Sequence, residues 1–161
     1  MNQSDVVMVK KDIPDEHLAK WSIGTILEVY DESNVEVEIS DKDGCTIFLG
    51  TLPKEKLEVV WATDSSVYVG RFKMLLDVFD EVIRIVRTPN ADMAWTSYNN
   101  ADELVCEFRS LIEDLKRGTP GSIDKIILLF APTGTLQEIS LSNGWGELFI
   151  EMSSRFDSLL D

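Results

Sequence analysis

The chain contains a single histidine, His17, which removes chemistry built on two imidazoles, including HExxH zinc sites and paired Glu-x-x-His di-iron bundles. Its two cysteines, Cys45 and Cys106, are far apart and form no CxxC pair, so no cysteine-based zinc cluster can be assembled. Cys45 falls in an apolar strand pattern and Cys106 sits beside Leu104 and Val105 in a helical one. Both are therefore expected as small buried hydrophobes, and nothing in the sequence supports a disulfide between them. There is no GxxxxGK[ST] phosphate loop. Gly144-Trp145-Gly146 lacks the third glycine and the preceding strand of a dinucleotide turn, which leaves Gly144 and Gly146 as turn or helix-start glycines. The longest strongly apolar run, residues 126–131, falls far short of the roughly 20 residues of a membrane-spanning helix. Residues 1–5 carry neither a basic n-region nor an apolar h-region, so no signal peptide is read and a cytoplasmic protein is expected. No cofactor is expected.

Cations are scarce as well. Against 29 Asp and Glu stand 15 Lys and Arg, a formal net charge of -14 over 161 residues. Nucleic-acid affinity comes largely from cationic side chains displacing counterions, so this balance excludes a nucleic-acid partner. It likewise disfavours an anionic membrane surface and favours a cationic protein. The surplus is even along the chain: residues 1–61 hold 13 acids and 6 bases, residues 62–161 hold 16 and 9. What is present is otherwise ordinary for a folded protein, with 44% hydrophobic and 27% charged residues. A chain this long buries enough surface for a packed core without disulfides or metals.

The pattern changes near residue 62. Residues 5–11 and 22–30 are rich in Val, Ile and Leu, and Val35, Val37 and Ile39 alternate with Glu36 and Glu38, which predicts a strand with one buried face. Asp41-Lys42-Asp43-Gly44 supplies a reversal, because glycine accepts the positive φ of a hairpin turn. Residues 45–50 pair back, Pro53 opens the next turn, and residues 57–61 close the set. Five short strands in so few residues are expected to curl into a small barrel.

After a polar linker of turn-forming residues over 62–66 the period becomes helical. Phe72, Leu75, Leu76, Phe79, Val82, Ile83 and Val86 recur at three- and four-residue steps, and Thr88-Pro89-Asn90 ends the run. A second helix has Asn100 as N-cap, Glu103 three places on, and Gly118 after Lys116 and Arg117 at its end. Residues 122–130 are a shorter apolar segment, helix or strand, ending at Pro132-Thr133-Gly134. A last helix from Asn143 or Gly144 turns Phe149, Met152 and Phe156 inward. The expected fold class is α+β: a five-stranded SH3-like barrel over residues 1–61, then an all-helical unit of about four helices over residues 67–161.

Two stretches carry resemblances. Residues 5–14 (DVVMVKKDIP), Gly24-Thr25-Ile26-Leu27-Glu28-Val29-Tyr30, residues 35–39 (VEVEI) and Asp43-Gly44 resemble a small bacterial SH3-like barrel family of unknown function. The match covers roughly residues 5–60, with Ile39 where an aromatic is commoner and Ser22 where a basic or small residue often sits. Further on, Trp95-Thr96-Ser97-Tyr98, residues 129–134 (LFAPTG), residues 136–140 (LQEIS) and Asn143-Gly144-Trp145 resemble uncharacterised helical bacterial domains, similar to immunity proteins that bind and block a toxin. Neither resemblance implies a catalytic residue.

The residues that invite a role are few. Glu36 and Glu38 project from one strand face near Asp41 and Asp43; they either meet Lys and Arg of a basic partner, with long-range attraction raising the on-rate, or form a solvated strand face. Asp41, Asp43 and Gly44 loosely resemble a calcium loop, but the DxDxDG spacing and distant Glu are missing, so a hairpin turn is the reading. Gln137 and Glu138, after Pro132-Thr133-Gly134, are either an exposed ligand contact or helix capping. Trp61 and Trp95 pack the two parts together or line a groove, since aromatics with a polar edge are enriched at binding hot spots. His17 is expected exposed beside two acids. The expected function is a non-enzymatic interaction protein, most concretely an immunity or antitoxin-like inhibitor of a basic effector, with Glu36, Glu38, Asp41, Asp43, Trp95, Gln137 and Glu138 as partner-binding residues. The alternatives are an accessory module holding a peptide or small ligand and an enzyme working with carboxylates alone.

Overall fold

The computed structural model describes residues 1–160. The chain packs as two compact units, Met1–Lys73 with Asp114–Pro120, and Met74–Glu113 with the residues from Gly121 onward.

In the first unit the period-two stretches form strands: β1 (Val6–Val9), β2 (Ile23–Val29), β3 (Asn34–Ser40), β4 (Thr46–Pro53), β5 (Leu57–Ala62) and β6 (Val67–Tyr68). They join in one antiparallel sheet of order β4-β3-β2-β1-β5-β6. Val35, Val37 and Ile39 of β3 turn to the core with Val7, Val9, Ile26, Leu52 and Leu57, while Glu36 and Glu38 take the opposite face, as alternation requires. β2 approaches β3 closely at Gly24, where a Cβ would lie 2.6 Å from Ile39 Cγ1 and 2.7 Å from the Glu38 carbonyl oxygen, so any larger residue there has to push the strands apart.

The expected five-stranded SH3-like barrel is corrected to an open sheet of six strands. The turn-forming residues 63–66 close a tight turn, with Ser66 at φ 55°, that brings Val67 and Tyr68 back onto Ala62 and Trp61. The turn is anchored by buried Asp5, whose Oδ1 accepts from the Thr63 amide at 3.0 Å, and by the Thr63 hydroxyl donating to the Ser4 carbonyl. β6 thereby takes the free side of β5, and the ladder ends at β4 and β6 without the edge-to-edge pairing that closes a barrel.

Two polar devices complete this unit. Arg71 donates from Nε (3.1 Å) and Nη2 (2.8 Å) to Glu58 Oε2, and its amide donates to Glu58 Oε1, so a carboxylate sits on the first turn of α1 (Gly70–Val86), where the helix dipole favours it. The Arg71 guanidinium also lies 5.6 Å from the Trp21 ring centroid. The end of α2 (Ala101–Lys116) closes as expected at Gly118: at φ 70° its amide donates to the Leu115 carbonyl, and that of Thr119 to Asp114. Gly118 fits against Ile23 so closely that a Cβ would meet the Ile23 Cβ at 2.8 Å.

The second unit is helical. Besides its parts of α1 and α2 it holds α3 (Ser122–Phe130), α4 (Thr135–Ser142) and α5 (Gly146–Leu160). The open choice over residues 122–130 resolves as helix, because Ile123, Ile126, Leu129 and Phe130 are buried at three- and four-residue steps. Phenylalanines make the centre: Phe130 stacks on Phe156 at 4.1 Å between centroids, and Phe79 meets Phe108 edge-on at 5.4 Å. Asn100 caps α2 as predicted, its Oδ1 accepting from the Glu103 amide at 2.9 Å, while Glu103 accepts from the Asn99 amide. No helix among the described residues is long and apolar enough to cross a membrane.

Both cysteines overturn the expectation of burial: Cys45 and Cys106 are exposed. Cys45 lies in the turn ahead of β4, outside the strand and at the open edge of the sheet. The apolar stripe of α2 runs through Leu104, Val105, Phe108, Ile112 and Leu115, and position 106 points away from it.

Candidate functional site

Four of the seven sequence-predicted residues lie in the first unit. Glu36 and Glu38 stand half-buried on the outer face of β3. The register places Glu36 between Glu28 of β2 and Thr51 of β4, and Glu38 between Thr25 and Leu49. Glu28 directly opposes Glu36, and two like charges across a ladder destabilise it. Glu38 Oε1 accepts from the Thr46 hydroxyl at 2.5 Å. The Tyr30 phenol is pushed above its ordinary range by desolvation, then by the charge of Glu36 and its hydrogen bond to it, and by the charge of Glu28.

Asp41 and Asp43 do different work. Asp41 Oδ1 accepts from the amides of Asp43 and Cys45, both at 2.9 Å, and its carbonyl accepts from Gly44, whose φ is 81°. Its carboxylate is the internal brace of the β3–β4 hairpin, which supports the turn reading over the calcium-loop one. Asp43 pairs with its neighbour Lys42 at 3.4 Å in full solvent. Glu38 and Asp41 are brought together in the wall of one shallow hollow of about 310 Å³ that also includes Lys42 and Arg117. Among the described residues no group of three or more His, Cys, Asp or Glu is placed to hold a metal ion.

The other three residues lie in the second unit. Trp95 is 76% exposed, on the connection between α1 and α2. That connection is held firmly: the Asp92 amide donates to Asn143 Oδ1 at 2.7 Å, and Asn143 Nδ2 donates to the carbonyls of Asp92 and Ile139. Beside it opens a polar hollow of about 600 Å³ lined by Arg87, Asp92, Tyr98 and Asn99 among others, though not by Trp95. Tyr98 donates to Glu107 Oε2 at 3.0 Å, and burial followed by Glu107 and Glu103 pushes its phenol up to about 12. Trp61, by contrast, packs within the first unit, edge-on to Tyr68 at 4.9 Å.

Gln137 and Glu138 are not in a loop. They belong to α4, a helix absent from the sequence reading, and Gln137 Oε1 accepts from the Thr133 amide at 2.8 Å, so its side chain caps the start of α4. Gln137 also borders an apolar cleft of about 510 Å³ between α3, α4 and α5, with Phe130, Leu141, Phe149 and Ile150 in its walls.

The features missed from sequence belong to the outer face of the sheet. Glu28 was hidden by the irregularity between Ile26 and Glu28, which shifts the face on which β2 residues appear. Ile47 and Leu49 of β4 are 58% and 60% exposed. The signal was there in Ile47-Phe48-Leu49, since three consecutive apolar residues in a strand place apolar side chains on both of its faces.

Residues 4–59 match a domain family of unknown function, DUF4926. The matched stretch runs from β1 to within β5. No curated protein and no solved structure matches the chain.

Proposed function

We propose that this chain is a non-catalytic binding protein whose outer sheet face takes a cationic protein, in the manner of an immunity or antitoxin-like inhibitor that occludes a basic effector. The observation that carries the reading is the Glu28–Glu36 pair, placed directly opposite in the ladder with Glu38 two residues on. Such a pair costs stability in the free chain, and a Lys or Arg set between the two carboxylates relieves it. The net charge of -14 extends the attraction over the whole molecule and speeds encounter. The likeness of the second half to immunity proteins adds the inhibitor role.

The test is affinity capture from the native host with the full chain and with Glu36→Lys/Glu38→Lys, read by mass spectrometry at low and high salt. A basic protein retained by the unaltered chain, and lost on charge reversal and in high salt, is the expected result. Capture unaffected by either change, or of acidic proteins alone, overturns it.

A second reading, an accessory module holding a peptide or small apolar ligand, is favoured by the cleft between α3, α4 and α5, whose volume of about 510 Å³ falls in the usual range for ligand pockets.

A further inference from the structure

The sheet ends at β4, which pairs with β3 alone. Edge strands in natural proteins are usually short, or blunted by charge, proline or a covering segment, because their unpaired amides and carbonyls template further pairing. β4 is eight residues long, TIFLGTLP, has no charged side chain, and carries its proline only at the end. The Phe48 ring lies over Gly50, with its Cζ 3.1 Å from where a Cβ would stand, so the glycine does not leave a gap in the strand. On the solvent side Ile47, Leu49 and Thr51 are exposed in alternation.

We infer that β4 is a docking edge which adds an extended, basic segment of the cationic partner as a seventh strand. This rests on the reading above and specifies its mode. A strand added at the usual spacing lies about 10 Å from β3. Its outward side chains cross Leu49 and Thr51 and face Glu38 and Glu36, the residues paired with those two positions. Alternate Lys or Arg residues in the added strand match the two-residue spacing of the glutamates, and main-chain hydrogen bonds supply the sequence-independent share of affinity. A second copy of this chain is the wrong occupant: its own β4 brings no cation, and its net charge of -14 opposes the approach.

The experiment uses the full chain, isotope-labelled, with a synthetic peptide alternating Lys and Val, the same peptide N-methylated at alternate residues, and a Thr-Val peptide of equal length. Amide exchange and chemical-shift changes are read along β4. The expected result is protection of the alternate β4 amides that β3 does not use, with affinity lower by about tenfold or more for the Thr-Val peptide and for Glu36→Lys/Glu38→Lys at low salt, and lower again for the N-methylated peptide. Equal binding of the N-methylated peptide without β4 protection overturns the edge mode while leaving the cationic reading intact. Equal binding of the Thr-Val peptide with β4 protection overturns the basic occupant, and with it the cationic reading. Concentration-dependent dimers with protected β4 in the absence of peptide overturn the proposal in favour of a second copy, and no binding by any peptide overturns it outright.

Discussion

Single carboxylates divide in this protein according to what their oxygens touch. Asp31 Oδ1 accepts from the amides of Ser33 at 2.6 Å and Asn34 at 2.7 Å, and these donors, with the Asn34 side chain, hold its carboxyl below the ordinary range. A folded-state value below that of the unfolded chain means that the stabilisation is complete above about pH 3.9 and is lost as pH falls through the lower, folded value. A carbon-detected NMR titration should therefore give Asp31 a midpoint below about 3.9, and Asp31→Ala should remove that part of the acid dependence of unfolding. A midpoint at or above the ordinary value contradicts the turn geometry. Asp41 braces its hairpin in the same way, whereas Glu28 and Glu36 face each other. The sequence displayed all of these as equivalent acids. Their difference lies in backbone amides and cross-strand register, neither of which composition or spacing displays.

Elements were legible where one face alternates cleanly with another. β3 and α2 are the clearest cases, since each has a single buried stripe and recognisable ends. α4 was not, because Pro132 and Gly134 read as the close of one helix and hid the start of another only eight residues long. β6 was missed for a related reason: two residues are too few to show a period, and only the bonds from Thr63 to Asp5 and Ser4 explain why the chain turns back there. The α1–α2 connection depends on Asn143 across 51 positions of sequence. Asn143→Ala removes the three hydrogen bonds of that side chain, and a loss of about 1 kcal/mol in urea unfolding is expected, near the value of one net bond because the groups can turn to water. Amide exchange over residues 90–94 should quicken at the same time; unchanged exchange would show that the connection is held by other contacts.

At the scale of the whole molecule, charge is the dominant property. With 29 acids against 15 bases, the folded chain concentrates like charges that the unfolded chain spreads apart. Salt should accordingly raise Tm between low ionic strength and about 0.5 M, where the Debye length has shrunk to a few ångströms. A melting temperature that falls over this range would mean that the ion pairs, such as Arg71 with Glu58 and Arg155 with Glu81, outweigh the repulsion. The α+β class was readable from the change of period near residue 62. Openness of the sheet was not, because it is decided by whether two edges meet, and sequence periodicity is silent about edges.

The return of residues 114–120 to the first unit bears on how this protein is made. Chain emerges from a ribosome in order, and domains that are continuous in sequence can fold as soon as they are released. Here the β-strands are synthesised long before Gly118, which fits against Ile23 in the finished unit. The sheet's strands are all released early, but the first unit lacks its last segment until most of α1 and α2 has been translated.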